Sequence, residues 1–227
     1  FNAAKAYCLS KLGDDYSGGL SHYFAEAFKA LGGEVISEEF QDGNSDFTSY
    51  ITKAKNEGCD VFFAPTSTEA AALIIEQAAS QGLTMPIMAG DTWDANVILN
   101  AAKGKDVKIY VTTFYQEGGN AEFDAGVKEY INSNPTILAN NGGDDTVSAV
   151  TAMGYDAYFT ALEAIKAAGS TDPKAVNEAL WGVKYDGVTG HIEFNETGDA
   201  KRDAAYVKTA NTETGAWDFV AVQKVEG

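Results

Sequence analysis

The chain has 227 residues, and its 33 acidic and 16 basic side chains give a formal net charge of −17. A surface that binds nucleic acid needs clustered Lys and Arg, and Arg202 is the single arginine, so the composition argues against a nucleic-acid partner. It argues equally against an anionic membrane surface, which attracts basic segments. A hydrophobic content of 45% is typical of a folded protein, and no apolar run approaches the roughly 20 residues that span a bilayer.

Strand and helix patterns alternate along the first half of the chain. Amphipathic stripes predict helices that begin near Ser17, at Phe47 behind a capping Asp46, and behind a capping Thr68. Because apolar strands alternate with these helices, the order predicts an α/β fold built on a doubly wound parallel sheet. The apolar runs that predict the strands are residues 4–9, 34–40, 61–64, 85–89 and 107–111.

The second half of the chain has a different pattern, in which helices come first and strands follow. The middle helix, at residues 146–168, is apolar on most faces, so we expect it to be buried all round. The other predicted elements are helices at 121–133 and 173–181 and strands at 191–194, 204–209 and 217–222.

Cysteines and histidines do not form a recognisable chemical site. Cys8 and Cys59 lie in or beside apolar runs without metal-ligand spacing, so buried thiols are predicted, with a single disulfide as the alternative. We expect His22 and His191 to have structural or surface roles. No phosphate-binding glycine loop or zinc motif is present, and the predicted loops lack a nucleophile–base pair. The chain is therefore predicted not to be an enzyme and to use no cofactor or metal.

In a doubly wound sheet, ligands bind outside the carboxyl ends of the strands. The loops expected there carry acids, hydroxyls and aromatics but no histidine, cysteine or arginine. The sequence therefore predicts a small-molecule site formed by Tyr16, Thr66, Ser67, Asp91, Thr92, Trp93 and Tyr115.

Asp91 is the best single candidate in this set. It follows an apolar strand and precedes Thr92 and Trp93, and an aromatic ring beside a carboxylate suits a ligand with an ammonium group. The alternative is that Asp91 or Asp94 caps the next helix, for which Asp94 is better placed. Tyr16 has a similar alternative as a packing residue at the start of a helix.

Several motifs, in an order that spans almost the whole chain, resemble those of the type I periplasmic binding proteins, and most closely the branched-chain amino-acid class. The early motifs are Leu12-Gly-Asp-Asp-Tyr16-Ser-Gly-Gly, Ala30-Leu-Gly-Gly-Glu-Val35, Ser45-Asp-Phe47, Cys59-Asp-Val-Phe-Phe63 and Gly82-Leu-Thr-Met-Pro86. The late motifs are Gly154-Tyr-Asp-Ala157, Gly187-Val-Thr-Gly190-His-Ile-Glu-Phe194 and Gly198-Asp199.

The resemblance implies an extracytoplasmic two-lobe protein that closes on an amino acid or similar zwitterion and delivers it to an ABC-type permease. Asp91 stands where the family contributes a carboxylate to the ligand's α-ammonium, and Tyr16 matches the tyrosine after that lobe's first strand. Thr66 falls where relatives carry a cleft-facing aromatic, which puts bulky branched-chain specificity in doubt. The single arginine agrees with the family's use of hydroxyls and backbone N–H groups for the ligand carboxylate. A ligand-sensing domain of a receptor or amide-type regulator is the alternative function.

The resemblance also predicts how the chain divides. Residues 1–115 and 208–227 are expected to form the complete C-terminal lobe, and residues 116–207 the returning helices and hinge crossings of an N-terminal lobe that is otherwise missing. Because the helices of 121–181 would then expose an apolar face, we expect a second chain or an N-terminal fragment to cover them. Such a chain would hold half a site and bind its ligand weakly.

Overall fold

The structure is a computed structural model, and it describes residues 1–202 and 204–224. The chain divides into two compact units. The sheet unit comprises residues 1–112 and 207–220, and the helical unit comprises the described parts of 113–206 and 221–227. The assignment of residues to the lobes of a longer binding protein, as expected above, remains a prediction.

Strands and helices alternate up to residue 113, as the apolar pattern indicates. The strands are β1 (Lys5–Lys11), β2 (Glu34–Phe40), β3 (Val61–Phe63), β4 (Ile87–Ala89) and β5 (Ile109–Thr113). The helices are α1 (Asp15–Ala30), α2 (Thr48–Asn56), α3 (Thr68–Ser80) and α4 (Asn96–Ala102), and a 3₁₀ turn, Asp91–Trp93, lies between β4 and α4.

Helices predominate in the next part of the chain, and four strands complete the fold. The helices are α5 (Ala121–Asn132), α6 (Pro135–Asn140), α7 (Ala149–Ala168) and α8 (Pro173–Leu180). The strands are β6 (Lys184–Gly187), β7 (Gly190–Glu193), β8 (Ala204–Asn211) and β9 (Ala216–Lys224).

Seven strands form one sheet in the order β2-β1-β3-β4-β5-β8-β9. The pairs β1–β2, β1–β3, β3–β4 and β4–β5 are all parallel, and the predicted doubly wound α/β fold is confirmed. From β1 the chain continues to β2 on one side and to β3 on the other, so the strand order reverses there. At such a reversal the adjacent loops leave in opposite directions and open a crevice at the carboxyl ends of the strands.

The core of the sheet unit lies on both faces of this sheet. Tyr7 in β1 stacks on Phe62 in β3 with ring centroids 5.2 Å apart, and both side chains are fully buried. Cys8 and Cys59 are buried free thiols. The prediction of buried thiols is therefore confirmed, and the alternative prediction of a disulfide is wrong. Burial raises the pKa of the Cys8 thiol to about 12.

Helix starts differ from the predictions by one or two residues because caps set them. The helix α1 begins at Asp15 rather than Ser17, since the Asp14 carboxylate accepts a hydrogen bond from the Ser17 N–H at 2.8 Å. The Asp46 carboxylate accepts from Thr48 N at 2.9 Å, although the N-cap position of α2 is Phe47. Thr68 is the first residue of α3 and not its cap.

Two elements of the helical unit were not predicted. The helix α6 has a start signal, since Asn134 accepts a hydrogen bond from the Thr136 N–H at 2.8 Å and Pro135 occupies its first turn. At 6 residues it is too short to show a helical period. The strand β6 pairs antiparallel with β7, and its sequence, Lys-Tyr-Asp-Gly, has no apolar alternation.

The expectation that the middle helix is buried all round is wrong for this chain. The side of α7 that faces the rest of the unit carries small or polar side chains, including Ala152, Asp156 and Thr160. Larger apolar side chains of the same helix lie in solvent, and Tyr158 is 62% exposed. We call the exposed apolar side chains of α5 and α7 together the apolar face, which consists of Tyr130, Val150, Tyr155 and Tyr158; of these, Tyr130 and Tyr155 line the same groove.

A buried carboxylate fastens the β6–β7 hairpin to α7. Asp156 is 1% exposed, and it accepts hydrogen bonds from Val188 N at 2.8 Å, Thr189 N at 2.7 Å and Thr189 Oγ1 at 2.6 Å. Gly187 makes room for this contact, because a Cβ there would lie 2.4 Å from the carboxylate. Arg202 adds a hydrogen bond to the Thr189 carbonyl at 2.8 Å.

We expect Asp156→Asn to lower the free energy of unfolding by about 2–3 kcal/mol, because a neutral amide cannot accept from all three donors and leaves buried N–H groups unpaired. Asp186→Asn on the same hairpin is the matched control, since this exposed side chain should cost about 1 kcal/mol or less. Urea denaturation measures both changes, and equal effects would contradict the role given to Asp156.

Candidate functional site

Three predicted residues come together at the carboxyl ends of β1 and β4. The Tyr16 hydroxyl, in the first turn of α1, donates to Asp91 Oδ1 at 2.8 Å. The oxygen of the same hydroxyl accepts from Thr92 N at 3.4 Å and lies 3.3 Å from Thr92 Oγ1. All three side chains are half-buried, so a ligand has access to them. The packing alternative for Tyr16 accounts for its ring but not for this placement of its hydroxyl.

The second oxygen of Asp91 is open. Within residues 1–202 and 204–224, no group donates a hydrogen bond to Asp91 Oδ2 and no cationic side chain pairs with this carboxylate. Burial raises the pKa of the Tyr16 hydroxyl above its ordinary value, and the charge of Asp91 raises it further. Tyr16 therefore remains a hydrogen-bond donor at neutral pH, which fixes Oδ1 and leaves Oδ2 for a ligand.

Thr66 and Trp93 are buried residues that hold the turn carrying Asp91 and Thr92 in place. Trp93 is fully buried, and its Nε1 donates to the Thr66 carbonyl at 3.1 Å. Thr92 Oγ1 donates to the same carbonyl at 3.0 Å, and Thr66 is itself 1% exposed. Both residues hold the Asp91–Trp93 turn against the loop after β3, and their contact with a ligand remains a prediction.

Ser67 and Tyr115 lie outside this network. Ser67 is exposed and occupies the N-cap position of α3. Tyr115 belongs to the helical unit, where it is 2% exposed and its hydroxyl donates to Asp124 Oδ1 at 2.6 Å. Burial and this hydrogen bond raise the pKa of Tyr115. Ligand contacts by these two residues remain predictions.

Asp94 has a different role from the predicted helix cap. The N-cap residue of α4 is Ala95, and Asp94 is 1% exposed, with its Oδ2 2.9 Å from Lys208 Nζ of β8. Lys208 is 3% exposed and was missed by the sequence reasoning. A lysine in the middle of the apolar run Ala-Ala-Tyr-Val-Lys-Thr was the signal, because such a buried cation requires a partner.

Gly90 is a second residue that the sequence reasoning missed. A Cβ at this position would lie 2.6 Å from Tyr16 Oη and 3.1 Å from Leu20 Cδ1. The absence of a side chain therefore lets the Tyr16 hydroxyl reach Asp91 and Thr92.

Other site chemistries find little support in the described chain. No group of three or more His, Cys, Asp or Glu residues there is arranged to hold a metal ion. His22 lies exposed on α1, 3.5 Å from Glu26, and His191 lies exposed beside Asp186. Within the same residues, no helix has both the length and the apolar character to cross a membrane.

Comparison with known proteins places this fold and site in a class. A family model for periplasmic binding proteins matches residues 2–215, and the chain belongs to this family. A Leu/Ile/Val-binding protein homolog of Brucella abortus is 30% identical over 191 residues, which are 82% of this chain and 48% of the relative. The chain thus spans about half the length of that relative.

Two solved structures show the same fold. A leucine-binding protein from Thermotoga maritima is 30% identical, with a TM-score of 0.77 over 98% of this chain and 61% of the other. A branched-chain amino-acid transporter substrate-binding protein from Streptococcus pneumoniae, in complex with isoleucine, has a TM-score of 0.70 at 23% identity and covers 99% of this chain and 60% of the other. The recognised resemblance to type I periplasmic binding proteins of the branched-chain amino-acid class is confirmed.

We expect Gly90→Ala to displace the Tyr16 hydroxyl from Asp91 and to cost about 1–3 kcal/mol of stability, because the new methyl group overpacks this position. Gly19→Ala is the control, since it lies inside α1 with open space around it and should stabilise by about 0.5–1 kcal/mol. Thermal unfolding and the NMR signals of the Tyr16 ring measure the two effects. Unchanged Tyr16 signals in Gly90→Ala would contradict the expected displacement.

Proposed function

We propose that the chain binds a small molecule with an ammonium group, an amino acid or similar zwitterion, through Asp91. The observation that supports this is the half-buried carboxylate whose Oδ1 accepts from Tyr16 at 2.8 Å while Oδ2 has no donor within the described residues. A partly desolvated, unpaired carboxylate gains most from a cation, and such charge-assisted hydrogen bonds are worth about 1.5–3 kcal/mol.

Three residues around Asp91 have distinct roles in the proposed site. Tyr16 orients the carboxylate and remains neutral, so it does not compete with the ligand for the negative charge. Thr92 donates its hydroxyl hydrogen to the Thr66 carbonyl, and its oxygen lies 3.3 Å from the Tyr16 hydroxyl, which leaves one lone pair of Thr92 for an N–H donor. Trp93 contributes rigidity rather than a cation–π contact, because its ring is fully buried.

We further infer that the whole protein is the extracytoplasmic solute-binding component of an ABC importer and passes its ligand to a permease. The family membership supports this, and so does the likeness to a protein described as a transporter substrate-binding protein. In a two-lobe protein of this kind, contacts that form only in the closed state shift the population toward closure.

We expect Asp91→Asn to weaken amino-acid binding about tenfold or more, because the amide offers no charge to the ammonium group. Asp15→Asn is the control, since this exposed residue near the same end of the sheet undergoes the same change of charge. Calorimetric titration with a panel of amino acids, and with the corresponding acids that lack the amino group, measures the effect.

The outcomes of this titration separate the parts of the proposal. Equal binding by Asp91→Asn and the unmodified chain would contradict the role of Asp91. If the acids that lack the amino group bind as tightly as the amino acids, recognition of an ammonium group would be contradicted. Tight binding by this 227-residue chain would contradict the expectation that it holds half a site.

We also propose that another polypeptide covers the apolar face in the working protein, either a second copy of this chain or an N-terminal fragment. Tyr130 is 65% exposed and borders an open groove of about 550 Å³. Tyr158 is 62% exposed and lies on α7, the helix that contributes Tyr155 to the same groove. Monomeric proteins rarely expose large contiguous apolar patches, and such patches are typical of interaction sites.

Light scattering coupled to size-exclusion chromatography tests this covering. If a second copy covers the face, we expect the measured mass of two chains to fall to that of one chain in Tyr158→Glu. Tyr23→Glu, at an exposed position of α1, is the control and should leave the mass unchanged. If an N-terminal fragment normally covers the face, we expect the isolated chain to have the mass of one chain and to bind a dye for apolar surfaces strongly. A one-chain mass without dye binding would overturn the proposal.

A further inference from the structure

The ion pair between Asp94 and Lys208 is the most deeply buried pair of opposite charges in the described chain. Their charged atoms are 2.9 Å apart, and the side chains are 1% and 3% exposed. The other ion pairs within residues 1–202 and 204–224 have at least one partner with a side chain more than 30% exposed. Removing two charges from water is costly, and apolar residues of similar volume are often as stable or more so. Stability alone therefore gives no reason for this pair.

The position of the pair gives such a reason. Asp94 closes the 3₁₀ turn that presents Asp91, and Asp94 N donates to the Asp91 carbonyl at 3.0 Å. Asp94 is the C-cap residue of this turn, so the backbone hydrogen bond links its position to that of Asp91. We expect a displacement of Asp94 to pass through this link to Asp91, the group proposed to receive the ligand.

Two consecutive buried residues anchor the turn directly after its accessible residues, Asp91 and Thr92. The indole of Trp93 donates a hydrogen bond to the Thr66 carbonyl at 3.1 Å. Asp94 accepts a hydrogen bond from Lys208 of β8 at 2.9 Å. β8 has a paired strand on each side, β5 and β9, and strands with partners on both sides open less readily than edges or loops, so Lys208 is a firm support for the turn.

We propose that Lys208 is a positioning residue for the ligand site, which acts through Asp94 to set the orientation of the Asp91 carboxylate. This inference rests on the proposed function of Asp91. Lys208 touches no ligand in this role. It determines whether Asp91 Oδ1 meets the Tyr16 hydroxyl and whether Oδ2 remains open.

The test compares the unmodified chain with the double variant Asp94→Asn/Lys208→Met, which removes both charges and keeps an oxygen acceptor at position 94. The single variant Lys208→Met removes the cation from a carboxylate that is 1% exposed and is expected to lower the unfolding midpoint by about 10 °C. The double variant is expected to recover most of that loss. It should nevertheless shift the ligand-free NMR signals of the Tyr16 ring, assigned by their loss in Tyr16→Phe, and weaken amino-acid binding about tenfold.

Two further variants keep the test decisive. Asp94→Glu retains the ion pair but lengthens it by one methylene, so it should also shift the Tyr16 signals if the double variant does not fold. Ile109→Val is the control, since it trims a fully buried side chain of β5 and lowers stability without changing the pair. It should leave the Tyr16 signals in place.

Two readouts distinguish a failure of this inference from a failure of the proposed function. Tyr16 signals that stay unchanged in both the double variant and Asp94→Glu would overturn the positioning role, whatever the ligand does. Tyr16 signals that move in a chain that binds no amino acid would support the positioning role and overturn the proposed function of Asp91.

Discussion

The backbone carbonyl of Thr66 is the acceptor on which the candidate site depends. It receives hydrogen bonds from Trp93 Nε1 at 3.1 Å and from Thr92 Oγ1 at 3.0 Å, so the loop after β3 holds the turn after β4. Because the indole is fully buried, an unmade bond would leave a polar group without a partner at a cost of about 1–3 kcal/mol. The turn is therefore held firmly enough to present Asp91 in one orientation. The parallel sheet makes this possible, since it places both loops at the same edge.

Burial and pairing distinguish two structural carboxylates of this protein from Asp91, the carboxylate proposed to bind the ligand. Asp94 is paired with Lys208, and Asp156 accepts from two backbone N–H groups and a hydroxyl. Both are 1% exposed, and a buried charge persists only where such partners compensate for lost hydration. Asp91 differs, because it is half-buried and one of its oxygens has no donor within the described residues. That contrast is the physical basis for proposing Asp91, among the 33 acidic residues, as the group that binds the ligand.

Much of the fold was predictable because its signals are local. The strand from Glu34 to Phe40 was predicted to the residue, and the α/β class followed from the alternation of apolar runs with amphipathic stripes. Elements without a period were missed, as with the 6-residue α6 and the polar strand β6. At the site, the proximity of Tyr16 and Asp91 followed from the rule that ligands bind at the carboxyl ends of parallel strands. The roles of Gly90 and Lys208 did not follow, because each depends on a residue that is distant in sequence, Tyr16 and Asp94 respectively.

The sequence by itself determined the family, the α/β class and the placement of Asp91 and Tyr16 at one edge of the sheet, since apolar periodicity and ordered motifs are properties of short segments. Only the tertiary structure decided which of the predicted residues are accessible and which are buried. It buries Trp93 and Thr66 beneath the turn, turns Asp94 from a helix cap into half of an ion pair, and leaves Tyr158 of an apolar helix in solvent. The physical reason is that burial depends on neighbours from distant parts of the chain, and no local pattern records which of them will be present.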